Sequence, residues 1–201
     1  MENKVIGVDK PLLEQLKILE TILLKNEKLK ELLERLANTD LENYYVAAGC
    51  INQTVFNYYH GYPLMNKIKD FDIVYFDSDT SYDKEDATIK KINNLVKDLN
   101  IICDIKNEAR VHIWYSSKYG KKIRPYKSIE DAISCWGTSI TCIGVRMKNG
   151  HLEVFAPYGL NDLFAMVIRP IKKQFSEEQY KIKTERWKKN WDKLIVLPWN
   201  E

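Results

Sequence analysis

The run of residues 70–77, Asp-Phe-Asp-Ile-Val-Tyr-Phe-Asp, most restricts how this chain can fold, because it places carboxylates inside a segment with strand composition. Side chains alternate along a strand, so Asp70 and Asp72 share one face and the apolar residues share the other. Two carboxylates about 7 Å apart repel each other unless a positive group lies between them. Mg²⁺ accepts oxygen ligands from one or two carboxylates. We therefore predict a divalent-cation site here; the alternatives are a wet edge strand or ion pairs with Lys67 and Lys69.

Leucines recur at helical spacing in two stretches before residue 38. The first stretch follows Pro11, and the second follows Asn26, which either caps a second helix or is tolerated inside one long helix. We expect residues 1–40 to form a helical extension whose leucine face packs on the rest of the protein, rather than a separate dimerisation zipper.

Short apolar stretches alternate with helical patterns in the middle of the chain. Gly49 directly follows the first predicted strand and begins a helix, and Gly61 is the expected end of that helix. The predicted strands span residues 44–48, 70–77, 101–105 and 111–115, and the predicted helices span residues 49–61 and 87–100.

The pattern changes towards the C-terminus. Ser128 with a carboxylate three residues later is typical of a helix start, which predicts a helix over residues 128–136. The pair Asn149-Gly150 between two alternating segments predicts a β-hairpin with a type I′ turn. A further helix is predicted over residues 161–168.

Composition limits the class of protein. Hydrophobic residues make up 45% of the 201-residue chain, which is enough for a folded core. No apolar run is long enough to cross a membrane, and the first residues lack the apolar region of a signal peptide, so we expect a cytoplasmic protein with no membrane partner. The four cysteines form no Cys-x-x-Cys pair, so we expect reduced thiols rather than a structural zinc site.

Basic residues are concentrated near the C-terminus, although the net charge of the chain is only +3. Residues 180–194 contain six lysines and arginines against two acids, a local excess of +4. Trp187 and Trp191 are four residues apart and share a helix face. Either this segment is a helix that docks two tryptophans on the body and leaves its lysines in water, or it contacts RNA or another polyanion.

A third carboxylate completes a candidate site. Asp104 lies in the predicted strand 101–105 and can converge with Asp70 and Asp72 if the two strands are neighbours. Three carboxylates at one face can hold two cations, which stabilises both the attacking and the leaving oxygen of a phosphoryl-type displacement. Gly49 at a helix start lets backbone N–H groups approach phosphate.

Two cationic residues follow Asp104. Lys106 shares the face of Asp104 if the strand continues, and could neutralise phosphate oxygens. Arg110 either does the same or forms an ion pair with an acid such as Glu108 or Asp104.

In this order, the residues resemble the polymerase-beta-type nucleotidyltransferase superfamily, whose signature is a Gly and a small residue at a helix start, an acid-x-acid strand and a third acid on another strand. The matching positions are Gly49-Cys50, Asp70 with Asp72, and Asp104. The chain also resembles a family of largely uncharacterised bacterial nucleotidyltransferase-like proteins over more than half its length. That likeness rests on Ala48-Gly49 and on residues 70–77, 106–112 and 156–162.

The resemblance implies an α/β (α+β) fold: a mixed sheet flanked by helices over residues 41–175, with helical extensions over residues 1–40 and 176–201. It implies transfer of a nucleoside monophosphate from an NTP to a hydroxyl-type acceptor, assisted by two Mg²⁺ or Mn²⁺ ions. The acceptor is a small molecule, an RNA end or a protein.

Each site residue has a role by the same resemblance. Asp70 and Asp72 would ligate both metals, and Asp104 would ligate the metal at the acceptor oxygen. Gly49 and Cys50 would contact the triphosphate, although a cysteine stands where Ser or Gly is usual, and a thiol is a poorer hydrogen-bond donor.

Two other functions stay open. The protein could be a non-catalytic module that binds a nucleotide or RNA and keeps only the fold. It could also be a two-metal phosphodiesterase with water as nucleophile, but such sites recruit histidines, and the chain has only three, which are scattered.

Overall fold

The computed structural model describes residues 7–200, and two helices begin it. They are α1 (Leu12–Leu24) and α2 (Glu27–Ala37). The Asn26 side chain accepts a hydrogen bond from the Leu29 N–H at 3.4 Å, so Asn26 caps a separate second helix. The leucine faces of both helices belong to the main hydrophobic core, together with residues of the sheet.

Thirteen further elements follow in the described chain, together with 3₁₀ turns at Lys97–Leu99 and Glu108–Arg110. In order they are β1 (Tyr44–Ala47), α3 (Gly49–His60), β2 (Phe71–Tyr75), α4 (Tyr82–Leu95), β3 (Cys103–Asn107), α5 (Val111–Tyr119), α6 (Ile129–Ile133), β4 (Gly144–Lys148), β5 (His151–Phe155), α7 (Asn161–Phe164), β6 (Val167–Ile168), α8 (Glu177–Lys188) and β7 (Ile195–Val196).

The main sheet has five strands in the order β3-β2-β1-β4-β5. Strands β2 and β3 are parallel, and the other neighbouring pairs are antiparallel, so the predicted mixed sheet flanked by helices is confirmed. Asn149 and Gly150 both have positive φ angles, 52° and 77°, as the predicted hairpin turn between β4 and β5 requires. A separate parallel pair joins β6 to β7.

The C-terminal segment docks on α3. The Trp187 and Trp191 side chains are 2% and 1% exposed, and both pack against the Phe56 ring. The Trp191 indole N–H donates to the Asn57 side-chain oxygen at 2.8 Å, so the tryptophan keeps a polar partner inside the core. Both tryptophans therefore dock on the protein body, although Trp191 lies beyond the end of α8 and Lys183 is partly buried rather than in water.

One predicted element is wrong in type, and another is only partly helical. Residues 111–115 form the start of α5 rather than a strand, because the Asn107 side chain starts a 3₁₀ turn that leads directly into a helix. The helix predicted over residues 161–168 ends at Phe164, and a short strand follows, because Met166 adopts a positive φ of 53° that breaks the helix.

The remaining differences are shifts of boundary. The helix α4 begins five residues earlier than the predicted residue 87, and β3 lies two residues later than predicted. No helix within residues 7–200 is both long and apolar enough to span a membrane.

Candidate active site

Two of the three predicted carboxylates lie side by side. The parallel register of β2 and β3 pairs Asp72 with Asp104, so both side chains leave the same face of the sheet. Asp70 directly precedes β2 and is exposed. Burial raises the pKa of Asp72 to about 6; the charge of Lys106 opposes this shift, and the charges of Asp104 and Asp70 add to it. The site therefore accumulates negative charge that the fold does not fully neutralise.

Lys106 partly neutralises this charge. Its ammonium group forms an ion pair with the Asp104 carboxylate, two residues earlier on the same face of β3. Burial lowers the pKa of Lys106, but the hydrogen bond to Asp104 and the charges of Asp104 and Asp72 outweigh burial, so the pKa is raised. Lys106 therefore stays protonated beside the carboxylates.

The N-terminus of α3 meets the same carboxylates. A Cβ atom on Gly49 would lie 3.0 Å from the Gln53 side-chain nitrogen and 4.0 Å from a carboxylate oxygen of Asp72. The preceding residue, Ala48, has φ 55° and ψ −121°, a strained backbone conformation for a residue with a side chain. The first N–H groups of a helix have no partner within the helix, so this end of α3 offers donors beside Asp72.

Cys50 turns its thiol away from this site. The side chain is 0% exposed in the main hydrophobic core, and its sulfur donates to the Ala47 carbonyl at 3.3 Å. Burial raises the pKa of the thiol well above its usual value. Any contact of Cys50 with a ligand is therefore limited to its backbone N–H. The cysteine side chain that stands where Ser or Gly is usual lies in the hydrophobic core.

Arg110 is held elsewhere by other partners. Its guanidinium forms an ion pair with Glu85 of α4 at 2.5 Å and lies 5.8 Å from the centroid of the Tyr82 ring. Arg110 does not line the cavity above the carboxylates. The structure thus brings Asp72, Asp104 and Lys106 together but places Arg110 in an ion pair.

A cavity of about 250 Å³ lies over the carboxylate face of the sheet. Asp72, Lys106 and Glu108 line it from the sheet side, and Lys118 and Lys183 add two further cations. Six aromatic residues also line it: Trp114, Tyr115, Tyr119, Tyr126, Trp136 and Phe175.

Lys183 links the basic C-terminal segment to this cavity. It projects from α8 and lies 5.7 Å from the Phe175 ring centroid and 5.0 Å from that of Trp187. Burial lowers the pKa of Lys183, and the nearby charge of Asp72 acts in the opposite direction. Sequence reasoning found the basic segment but did not connect any of its lysines to the carboxylates.

Glu108 was also missed as a site residue. It follows β3 at the start of a 3₁₀ turn, and its side chain is buried, with 3% of the residue exposed. Burial raises the pKa of its carboxyl to about 8; Lys106 opposes the shift, and the charges of Asp72 and Asp104 add to it. Asp104, Lys106 and Glu108 are each two residues apart, and this strand period could have predicted that Glu108 lies on the same face.

The donor set suits a hard cation without forming a closed cage. Within residues 7–200, no three His, Cys, Asp or Glu side chains are gathered closely enough to hold a metal ion by themselves. The all-oxygen pair Asp72 and Asp104 matches the way proteins hold Mg²⁺, with one or two carboxylates and the remaining ligands from substrate phosphates and water. The cysteines are free thiols.

A family model described as a nucleotidyltransferase matches residues 34–196. The chain belongs to this nucleotidyltransferase family. The resemblance to polymerase-beta-type nucleotidyltransferases seen in the sequence is therefore confirmed. No curated protein matches this nucleotidyltransferase in sequence.

The fold has a solved relative. An NMR structure described as revealing a CCA-adding enzyme head domain matches the nucleotidyltransferase with a TM-score of 0.72. The match has 21% sequence identity and covers 90% of this chain and 95% of the other. At this identity the likeness establishes the fold and leaves substrates to be argued from the site.

Proposed function

We propose that this nucleotidyltransferase transfers a nucleoside monophosphate from an NTP to a hydroxyl acceptor and releases pyrophosphate, with two divalent cations, Mg²⁺ or Mn²⁺, as cofactors. The observation that carries the proposal is the register of β2 and β3, which pairs Asp72 with Asp104 beside the N-terminus of α3. Divalent cations bound there would supply charge stabilisation for the attacking and leaving oxygens.

Each site residue has a separate role in this proposal. Asp70 and Asp72 hold the cations, and Asp104 faces the acceptor oxygen, where a carboxylate can also receive the acceptor's proton. The backbone N–H groups of Gly49 and Cys50 at the start of α3 bind the triphosphate. Lys106 is close enough to exchange its ion pair with Asp104 for a phosphate oxygen when cations arrive.

The acceptor is a small molecule, an RNA end or a protein hydroxyl. Exposed lysines of the C-terminal segment favour RNA among these, because Lys183 of the same helix lines the cavity while Lys181 and Lys189 face solvent. An RNA backbone bound along Lys181 and Lys189 would therefore have its end near the site carboxylates. The Arg110 ion pair with Glu85 makes Arg110 a support for β3 and α4 in this proposal rather than a phosphate ligand.

The decisive experiment incubates the protein with each α-labelled NTP, Mg²⁺ or Mn²⁺, and separate RNA, protein and metabolite acceptors. We expect transfer of label by the wild type and a loss of at least about 100-fold in Asp72→Asn, because a cation ligand is removed. The matched control is Asp83→Asn, an exposed carboxylate in the first turn of α4, which should retain activity.

Other outcomes identify the alternatives. NTP binding with no pyrophosphate released under any acceptor would contradict the transferase and indicate a non-catalytic module. Hydrolysis of a phosphodiester with water as acceptor, lost in Asp72→Asn, would indicate a two-metal phosphodiesterase instead.

A further inference from the structure

A second cavity lies on the face of β2 opposite to the carboxylates. Its volume of about 460 Å³ falls within the range of about 300–1,000 Å³ that small-molecule sites occupy in proteins. Helix α4, residues 39–41 after α2, and Tyr75 at the end of β2 line it. Tyr75 lies three residues after Asp72, so its side chain leaves the other face of the strand. We call this space the α4 cavity; among residues 7–200, it shares no lining residue with the cavity over the carboxylates.

The lining of the α4 cavity favours a ligand with an apolar body. Ala87, Ile92 and Leu95 contribute apolar side chains from α4, and Leu41 contributes another from the segment after α2. Transfer of apolar surface from water into such surroundings is favourable. The side chains of α4 that face this space therefore leave room for a molecule that the fold itself does not supply.

Tyr75 adds one polar group to this lining. The residue is 2% exposed, and its buried hydroxyl has no hydrogen-bond partner within the described residues. Thr88, which also lines the α4 cavity, acts on Tyr75 but donates its own hydroxyl hydrogen to the Lys84 carbonyl at 3.0 Å. A buried hydroxyl without a partner destabilises the fold. An oxygen atom of a ligand would give Tyr75 the missing partner.

The charged groups of the α4 cavity balance one another. Two lysines, Lys84 and Lys91, and two aspartates, Asp40 and Asp77, line it. Lys91 forms an ion pair with Asp40, which joins α4 to the segment after α2. The Asp77 carboxylate accepts from the Asp79 N–H at 2.9 Å. A charged ligand would therefore lose its hydration without meeting an excess of opposite charge, whereas an uncharged ligand would not.

We propose that the α4 cavity binds an uncharged small molecule with an apolar body and a hydroxyl group that pairs with Tyr75. A hydroxyl suits this position because it both donates and accepts. It can accept from the Tyr75 O–H and donate to the Thr88 oxygen, which keeps an acceptor lone pair. The proposal does not depend on nucleotidyl transfer, because the site lies on the other face of the sheet.

The first test is a fluorine NMR titration with two probes of nearly equal shape, para-fluorophenol and para-fluorotoluene. We expect both probes to bind the wild type. In Tyr75→Phe, the ratio of the two affinities should shift against para-fluorophenol by about three- to tenfold, because only this probe loses a hydrogen bond. An unchanged ratio, or no binding of either probe to the wild type, would overturn the proposal.

A second pair of variants locates the probes. Ala87 is an exposed residue that lines the α4 cavity, so Ala87→Phe should fill the space without disturbing the core, and it serves where Tyr75→Phe fails to fold. Both probes should bind at least about tenfold more weakly to this variant. The matched control is Asn93→Phe, at an exposed position of α4 outside the lining, which should bind as the wild type does. Full affinity in Ala87→Phe would show that the probes bind elsewhere, against the proposal.

The preference for an uncharged ligand has its own test. Para-fluorobenzoate and para-fluorobenzylammonium carry opposite charges on the same ring, and each should bind at least about tenfold more weakly than para-fluorophenol. Tighter binding of either ion would contradict the assignment.

The two proposals can fail separately. Asp72→Asn should leave the affinity for para-fluorophenol unchanged, and a loss of affinity there would place the probe beside the carboxylates and overturn the α4 site. Absence of label transfer to every acceptor would sink the transferase and leave the α4 site standing.

Discussion

At the scale of single residues, Asp72 links the site to stability. Its folded-state pKa of about 6 lies above its usual 3.8, so the folded protein prefers the protonated form. The protonated Asp72 carboxyl therefore contributes to the stability of the fold. This contribution is fully present below about pH 4 and is lost as the pH rises through about 6. A shift of this size corresponds to at most about 3 kcal/mol of unfolding free energy.

Asp72→Asn should remove the fall in unfolding free energy that accompanies ionisation of Asp72, because an amide does not ionise. In urea unfolding without divalent cations, we expect the variant to be less pH-dependent than the wild type between pH 4 and 7 and more stable at pH 7. Asp83→Asn is the control, because its carboxylate is exposed. A variant whose pH profile matches that of the wild type would show that Asp72 ionises freely.

Ala48 gives a second prediction at this scale. Its φ of 55° with ψ of −121° costs about 1–3 kcal/mol for a residue with a Cβ atom, whereas glycine adopts it freely. Ala48→Gly should therefore raise the free energy of unfolding by about 1 kcal/mol after the larger entropy loss of glycine. Ala47→Gly, at the buried end of β1, should lower it. A loss of stability in Ala48→Gly would contradict the strain.

Only part of the site was visible in the sequence. The period of two along a strand was enough to predict that Asp72 and Asp104 leave strands on one face, whereas Asp70 lies just before β2 and not in it. Lys183 reaches Asp72 from more than 100 positions away in the chain, so its role depends on how α8 docks. The direction of the Cys50 thiol likewise depends on packing of α3 against the core, which no local pattern specifies.

At the scale of elements, α5 shows why short apolar segments are ambiguous. Residues 111–115 are rich in β-branched and aromatic types, which favours a strand. In the folded protein they are helical, and Val111, Trp114 and Tyr115 line the cavity at helical spacing. Five residues are too few for either period to dominate, so the Asn107 cap before them and the left-handed Gly120 after them decide the outcome.

Asn107 joins the elements that carry the site. Its side-chain oxygen accepts from the Asp77 N–H at 3.0 Å and the Ala109 N–H at 3.1 Å, and its amide group donates to the Asp77 carbonyl at 2.9 Å. The residue is 1% exposed, so removal of the side chain leaves buried backbone groups unpaired.

Asn107→Ala should therefore lower the free energy of unfolding by about 3 kcal/mol, measured by urea unfolding. Asn107→Asp keeps both acceptor bonds but turns a carboxylate oxygen towards the Asp77 carbonyl in a buried site, so it should not restore stability. A loss in Asn107→Ala below about 0.5 kcal/mol would mean that the β2–β3 connection does not depend on this side chain.

At the scale of the whole molecule, the C-terminal segment and the sheet both contribute side chains to the cavity wall. Trp191 fixes the segment to α3 through Asn57, and β7 pairs with β6. Lys183 lies on α8, and Phe175 lies two residues before the start of this helix. The part of the cavity wall that these two side chains form therefore depends on the last quarter of the chain. Other lysines of the C-terminal segment, Lys181 and Lys189, are exposed, which makes an RNA path along this segment testable.

The RNA contact can be tested with exposed lysines of the C-terminal segment; Lys181 pairs with Glu177 on its own helix, as the control Lys30 pairs with Glu34 on α2. Lys188 is unsuitable, because its ammonium group donates to the Leu194 carbonyl at 2.6 Å and so supports the end of the segment. Lys181→Glu with Lys189→Glu should weaken binding of single-stranded RNA and reduce the slope of log affinity against log salt by about one per lost phosphate contact. The control is Lys30→Glu, an exposed lysine of α2. Fluorescence anisotropy over a KCl series measures both quantities, and an unchanged slope in the double variant would exclude this face as an RNA path.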